Sequence, residues 1–284
     1  MPEPLLQAVD LRRSFGTVHA VDGVSFTLPE GGSLGIVGGS GSGKTTTARI
    51  VVGLERADAG EVRVRGRARP SRARGREQRL ARAREVQMVF QDPYLSLDPR
   101  TGVDQVLRET LRLHFPDRDP EPRIRELLDQ VGLGTRAADA LPRQLSGGQR
   151  QRVAIARALA VEPAVLVLDE AVAALDVSVQ AQILNLLADI REQTPIGYLF
   201  ITHDLGVVRC VTDEVLVMRH GSVVEAGATA EVLAAPQHPY TRLLLDSVPH
   251  PGWNPDRIAA ARQELTSSPL AQPTQHTGGR SEPT

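Results

Sequence analysis

Over the first third of the chain, apolar residues fall in short runs broken by turn-forming residues: Leu5 to Leu11, Val24 to Leu28 and Ser33 to Val37. This spacing predicts strands, and the third run leads into a glycine-rich loop after which a helix is expected. Glu61 to Val64 and Val86 to Phe90 read as further strands, separated by an arginine-dense stretch that reads as a solvated loop. Between about residues 95 and 160 the apolar period becomes helical, in Val103 to Leu113, Ile124 to Val131 and Gly148 to Ala160. Ala164 to Leu168 is continuously apolar and ends in Asp169 and Glu170, as expected of a strand buried on both faces with acids at its rim. Val177 to Gln193 predicts an amphipathic helix and Tyr198 to Ile201 another buried strand. Val215 to Val217 with Val223 to Glu225 predicts a hairpin turning near His220 and Gly221. Strands alternating with helices imply an α/β fold with a largely parallel sheet, here carrying a β-rich N-terminal part and a helical insertion. Residues 263–284, rich in Pro, Gly, Ser, Thr and Gln, read as a disordered tail. No internal repeat is present.

Composition narrows the class. At 41% hydrophobic and 24% charged over 284 residues, the chain is of the ordinary soluble globular kind. Aromatics at 3% leave Leu, Val, Ile and Ala to build the core. A formal charge of -1 excludes a global basic field for nucleic acid or anionic lipid, so any such binding needs a local patch. With Cys210 the single cysteine, neither an intrachain disulfide nor a Cys-based zinc or iron–sulfur site can form. The start carries acids and no apolar core, and no run of about 18 apolar residues occurs. A cytoplasmic chain is expected, so that any membrane-spanning partner must be a separate polypeptide.

The 33 basic residues comprise 32 arginines and one lysine, Lys44. That lysine lies in Gly38, Gly39, Ser40, Gly41, Ser42, Gly43, Lys44, Thr45, which fits G-x-x-x-x-G-K-S/T between an apolar strand and an expected helix. Small residues let consecutive backbone N–H groups converge on a phosphate at a helix N-terminus, where the dipole also favours anions. Lys44 can then reach β- and γ-phosphates and Thr45 can ligate Mg²⁺. A compact ammonium suits such a nest where the wide guanidinium fork does not, which explains why lysine is kept here although arginine is used everywhere else. The lone lysine also excludes a GTPase, because no second lysine exists to build an Asn-Lys-x-Asp guanine reader.

Leu145, Ser146, Gly147, Gly148 and Gln149 form a second glycine-containing helix start, which reads as another anion nest with the Ser146 hydroxyl and the Gly147 and Gly148 amides facing outward. Together with the Lys44 loop and the Val165 to Glu170 strand end, this string resembles the ATP-binding-cassette (ABC) family, from about Leu5 to Pro249. The resemblance implies an ABC-type P-loop NTPase fold with an antiparallel N-terminal β part. Residues 1–94 and 161–235 would form the ATP-binding core, 95–160 the helical signature subdomain, and 236–262 a C-terminal extension. It implies ATP and Mg²⁺ as ligands. Residues 38–45 with Thr46 would hold ATP, and Phe15 would stack on adenine. Thr45, Gln91 and Asp169 would hold Mg²⁺. Glu170 would be the general base, His203 the switch histidine and Gln91 the glutamine linking the γ-phosphate side to the helical insertion. Residues 145–149 would contact the ATP of a partner subunit, with Asp176 at the dimer seam.

Two departures from the family pattern stand out, at Ala171 and Ala173. Where the family continues Pro-Thr-Ser-Ala-Leu-Asp, this chain has Ala171, Val172, Ala173, Ala174, Leu175, Asp176. It thereby loses a rigid turn residue and a hydroxyl. Hydrolysis is expected to survive with altered turnover or coupling. Phe90 to Arg100 and His238-Pro239-Tyr240-Thr241-Arg242 resemble the oligopeptide, dipeptide and nickel importer branch. That implies a peripheral ATPase at the cytoplasmic face of the membrane. Its partners would be a second ATPase subunit, identical or not, two integral-membrane permease subunits and, indirectly, an extracytoplasmic solute-binding protein. Nucleic acid is not expected. The rival reading is an ABC ATPase acting on nucleic acid through Arg63 to Arg84, which carries 10 arginines and one acid, Glu77, in 22 residues. Against it, that stretch holds no aromatic residue for bases to stack on.

Overall fold

The structure, a computed structural model, describes residues 3–70, 73, 75–92, 97–134 and 137–248. The expected tail at 263–284 lies outside the described residues, as does the end of the 236–262 extension. In chain order the strands are β1 (Leu6–Phe15), β2 (Val18–Leu28), β3 (Ser33–Val37), β4 (Ala59–Val64), β5 (Arg67–Ala68) and β6 (Val86–Val89), followed by β7 (Val165–Asp169), β8 (Gly197–Thr202), β9 (Glu214–Arg219) and β10 (Ser222–Ala228). β1, β2, β4 and β5 make an antiparallel sheet in the order β2-β1-β4-β5. The other six run β10-β9-β3-β8-β7-β6, with β9, β3, β8, β7 and β6 parallel and β10 antiparallel at the edge.

The parallel strands are apolar throughout because both faces are covered. Along β7, Val165 and Val167 point toward the N-terminal sheet, while Leu166 and Leu168 point toward the helices, the period-two alternation of a pleated strand. On the first face lies α1 (Lys44–Val52), packed through Ala48, Ile50 and Val51. On the second lie α3 (Val103–His114), α4 (Pro120–Gln130), α5 (Gly147–Leu159) and α6 (Val177–Gln193), whose apolar stripes share one core. A third cluster joins α7 (Leu205–Val211), α8 (Thr229–Ala234) and the half-buried Tyr240, Leu244 and Leu245 of α9 (Pro239–Asp246) to β9.

The arginine-dense stretch is not the loop that its polarity predicts. It contains β5 and a helix, α2 (Gly75–Glu85), with no buried residue. Arg, Glu, Gln, Leu and Ala are good helix formers, so the segment coils without the apolar stripe by which a helix is recognised. Arg69 fixes it from beneath: the guanidinium is buried and donates to the Glu85 carboxylate at 3.0 Å, the Arg82 carbonyl at 3.0 Å and the Val51 carbonyl at the end of α1. Arg84 lies over the Phe115 ring at 4.7 Å. Part of the charge is therefore spent inside the fold.

Candidate active site

β3, β8 and β7 are neighbours and parallel, so their C-terminal ends open on one rim, and each delivers a segment named above. After β3 the chain turns through residues 38–43 into α1. Two glycines there are dictated by close approach. A Cβ at Gly38 would stand 2.3 Å from the Met218 carbonyl oxygen. Gly43 has φ 103°, and its Cβ would stand 2.2 Å from the Ala20 carbonyl oxygen. Gly43 caps α1 without a side-chain hydrogen bond, and the first turn holds no acid, so the positive helix end is left for an external anion. Lys44 is buried, and its Nζ donates to the carbonyls of Gly38 at 2.8 Å and Gly39 at 2.9 Å. Burial holds its pKa below the ordinary lysine value, against the pull of Glu170 and Asp169. Ser40 and Gly41 are exposed, Ser42 is buried, and Thr45 and Thr46 are half-buried.

Asp169 ends β7, buried, with Oδ1 3.5 Å from Thr45 Oγ1. Burial, then the adjacent Glu170, raises its pKa above the usual carboxylate range, and Arg49, Thr45 and Lys44 oppose the rise. A buried carboxyl beside a hydroxyl, with a second acid next to it, is a donor set that suits a hard cation. Glu170 has φ 48°, a left-handed conformation that costs a non-glycine residue about 1–2 kcal/mol. It is imposed by the Glu170 N–H on the Ile201 carbonyl at 2.8 Å and by the Ala173 N–H on the Glu170 carbonyl at 3.0 Å. Strain of this kind concentrates at functional sites, and here it turns the carboxylate toward His203, whose Nδ1 lies 3.1 Å from Glu170 Oε1. The turn closes without the proline of the family pattern, because Ala171 and Val172 are anchored in the core.

The loop of residues 38–46 with Asp169, Glu170 and His203 is thus gathered at one rim; Gln91, Phe15, residues 145–149 and Asp176 are not joined to it. Gln91 follows β6, on the far side of β7, and is exposed; among the described residues no hydrogen bond links it to either acid. The adjoining Pro93 to Ser96 lie outside the described residues. Phe15 ends β1 opposite Val18, 47% exposed, with the Arg13 guanidinium over its ring at 4.5 Å, so it is not a core residue. Residues 145–149 open α5. The Ser146 side chain takes part in a capping box rather than facing outward alone: Ser146 Oγ accepts the Gln149 N–H at 3.2 Å, Gln149 Oε1 accepts the Ser146 N–H at 2.9 Å, and Gly148 is buried. A Cβ there would stand 2.4 Å from Val179 Cγ1, so Gly148 serves the packing of α5 on α6. The helix also begins at Gly147. Asp176 caps α6, accepting from the Val179 N–H at 3.0 Å and the Ser178 hydroxyl at 2.7 Å, and these donors lower its pKa.

Two contacts on the loop have no counterpart in the sequence reading. The Gly221 N–H, at the β9–β10 turn, donates to the Ser42 carbonyl at 3.0 Å, and the Gly39 N–H donates to the Tyr240 hydroxyl at 2.8 Å. Nothing in their spacing announces either contact, since both depend on how the C-terminal third folds back.

The sequence profile of the ABC transporter family matches residues 21–173, more than half of the chain. The chain belongs to the ABC transporter family. A second profile, the C-terminal region of oligopeptide/dipeptide transporters, matches residues 224–276. Among curated relatives within the family, the oligopeptide transport ATP-binding protein OppF of Bacillus subtilis is 43% identical over 258 residues, covering 88% of this chain and 84% of its own length. OppD of Mycobacterium tuberculosis, also named an oligopeptide transport ATP-binding protein, is 48% identical over 248 residues, 87% of this chain but 40% of OppD. The chain therefore spans less than half the length of that relative. Among solved structures, the dimeric ATP-binding cassette MJ0796 in a post-hydrolysis state bound to ADP and Pi superposes with a TM-score of 0.70 at 28% identity, covering 79% of this chain and 98% of that one.

Proposed function

We propose that this chain is the ATP-hydrolysing subunit that energises a multi-subunit ABC importer for peptides or related small solutes. The observation carrying this reading is the convergence of an uncapped helix start, Lys44, Thr45, Asp169 and the Glu170–His203 pair on one rim. The match of the C-terminal region to the oligopeptide/dipeptide profile supports the choice of branch.

ATP phosphates fit the loop because the start of α1 has no side-chain cap, so its first amides and its dipole are left for an anion, and the Lys44 ammonium can exchange the Gly38 and Gly39 carbonyls for phosphate oxygens. Mg²⁺, when bound, would neutralise charge on the phosphates; Thr45 and Asp169 would hold it, and Gln91 is the third residue assigned to it. Glu170 takes the proton from the attacking water, and His203 orients its carboxylate from Oε1. Phe15 offers an exposed ring for adenine. Residues 145–149 complete the site of a second ATPase subunit, which fits their lying apart from this chain's own loop. Among the described residues no helix is long and apolar enough to cross a membrane, which agrees with a peripheral subunit serving separate permease subunits at the cytoplasmic face. A cleft of about 500 Å³, lined by Val52, Leu54, Arg82, Val86, Met88 and Phe90, the residue before Gln91, offers a short permease helix an apolar floor.

The nucleic-acid reading loses support because Arg69 is buried and Arg84 stacks on Phe115. The test is co-expression with candidate permeases and measurement of ATP-dependent peptide uptake in vesicles. Uptake that requires Glu170 supports the assignment. ATP turnover stimulated by DNA and indifferent to any permease would overturn it.

A further inference from the structure

The geometry assigns Tyr240 as a positioning residue of the phosphate loop, acting on the peptide between Gly38 and Gly39. This rests on the reading that the loop holds ATP. That single peptide group is gripped at both ends: its N–H donates to the Tyr240 hydroxyl at 2.8 Å, and its carbonyl accepts from Lys44 Nζ at 2.8 Å. The residues on either side are glycines, so once Lys44 turns to phosphate the Tyr240 hydroxyl is what keeps the peptide from rotating.

The hydroxyl is held by its own surroundings rather than by the loop. Tyr240 lies in the first turn of α9, and its N–H donates to Nδ1 of the capping His238 at 3.1 Å. Glu225 of β10 accepts the N–H groups of Gln237 at 2.7 Å and His238 at 3.1 Å, which fixes the entry to the helix. The Arg219 guanidinium lies over the Tyr240 ring at 5.1 Å. A cleft of about 370 Å³ separates much of α9 from the loop, with Ser40 and Gly41 on one side and Leu243 and Leu244 on the other, so the hydroxyl is the bridge. With Gly221 holding the Ser42 carbonyl at 3.0 Å, the loop is clamped by C-terminal elements at Gly39 and Ser42. Such a clamp lowers the ordering cost of ligand binding.

The experiment compares the wild-type full chain with Tyr240→Phe, which removes only the hydroxyl. Binding of MgATP is read by titration calorimetry, turnover by steady-state kinetics, and folding by thermal melting. A lost neutral hydrogen bond that acts before chemistry raises Kd and KM about 3- to 10-fold and leaves kcat within about two-fold. The melting temperature stays unchanged. Equal Kd and KM in the two proteins would overturn the assignment. So would a lowered melting temperature at unchanged KM, which marks Tyr240 as an anchor of α9 alone. Wild-type protein and Lys44→Ala separate this from the parent reading. If the wild type fails to bind MgATP, the loop's function falls; if it binds, Lys44→Ala does not, and Tyr240→Phe binds as wild type, only the role of Tyr240 falls.

Discussion

The chain has two glycine-rich helix starts, and they are finished differently. α1 opens at Gly43 with no side-chain cap, and its nearest cation is tied to backbone carbonyls that phosphate can replace. α5 opens at Ser146 with a reciprocal capping box, in which Ser146 and Gln149 satisfy one another's N–H groups. The first is complete except for its ligand. The second has two of its N–H groups satisfied internally, so the amides of Gly147 and Gly148 are those the box leaves for an anion from outside. A glycine motif at a helix start therefore does not by itself tell how many N–H groups are left for a ligand.

The largest test of this contrast is at Lys44. Lys44→Ala is expected to weaken MgATP binding by at least about 100-fold, because a charged donor to phosphate is lost in a desolvated site. Lys44→Arg is expected to fail as well, since the guanidinium does not fit the space between the Gly38 and Gly39 carbonyls. Calorimetry reads both, and tight binding by either variant breaks the comparison at its stronger end. Next is Glu170→Gln, expected to slow hydrolysis by roughly 10²- to 10⁴-fold while MgATP binding persists and closed dimers accumulate in light scattering. Unchanged turnover would remove Glu170 from the role of base.

The capped start answers to a subtler change. Ser146→Ala should cost about 1 kcal/mol of stability, a fall of a few degrees in melting temperature, while binding of MgATP to the isolated chain stays as in wild type. A loss of binding in the monomer would show that residues 145–149 serve the chain's own loop after all.

The smallest effect expected concerns Asp169. The fold raises its pKa, so the stability linked to its protonated form is complete below the ordinary aspartate value and is lost as pH rises through the raised one. At neutral pH the ionised carboxylate weighs against the nucleotide-free fold. Asp169→Asn is therefore expected to melt higher than wild type near pH 7, the gap closing in acid, even as it loses activity. Equal melting at neutral pH would mean that Arg49 and Lys44 offset the burial fully.

Much of this was legible from pattern alone. β3 runs from Ser33 to Val37 and α6 from Val177 to Gln193, as their spacing predicts, because each is long or apolar enough for one period to dominate. Asp169 and Glu170 could be set at a strand end because a continuously buried strand must stop where charge begins. α2 was missed because propensity rather than burial forms it. The closure of Ser146 on Gln149 was open to view as a serine followed three residues later by glutamine, but the neighbouring glycines drew the reading toward a nest. Tyr240 and Gly221 could not be seen, because they reach the loop across 201 and 179 positions of chain, through tertiary contacts that no local period encodes.

The solitary lysine also makes the protein its own reporter. An amine-selective acylating reagent finds, besides an α-amino group, one target in this sequence, Lys44, whose pKa burial has lowered and whose ammonium sits at the proposed phosphate site. Protection of that residue in mass spectrometry then counts occupied loops directly, in a purified sample or within an assembled complex, with no label introduced and no residue replaced.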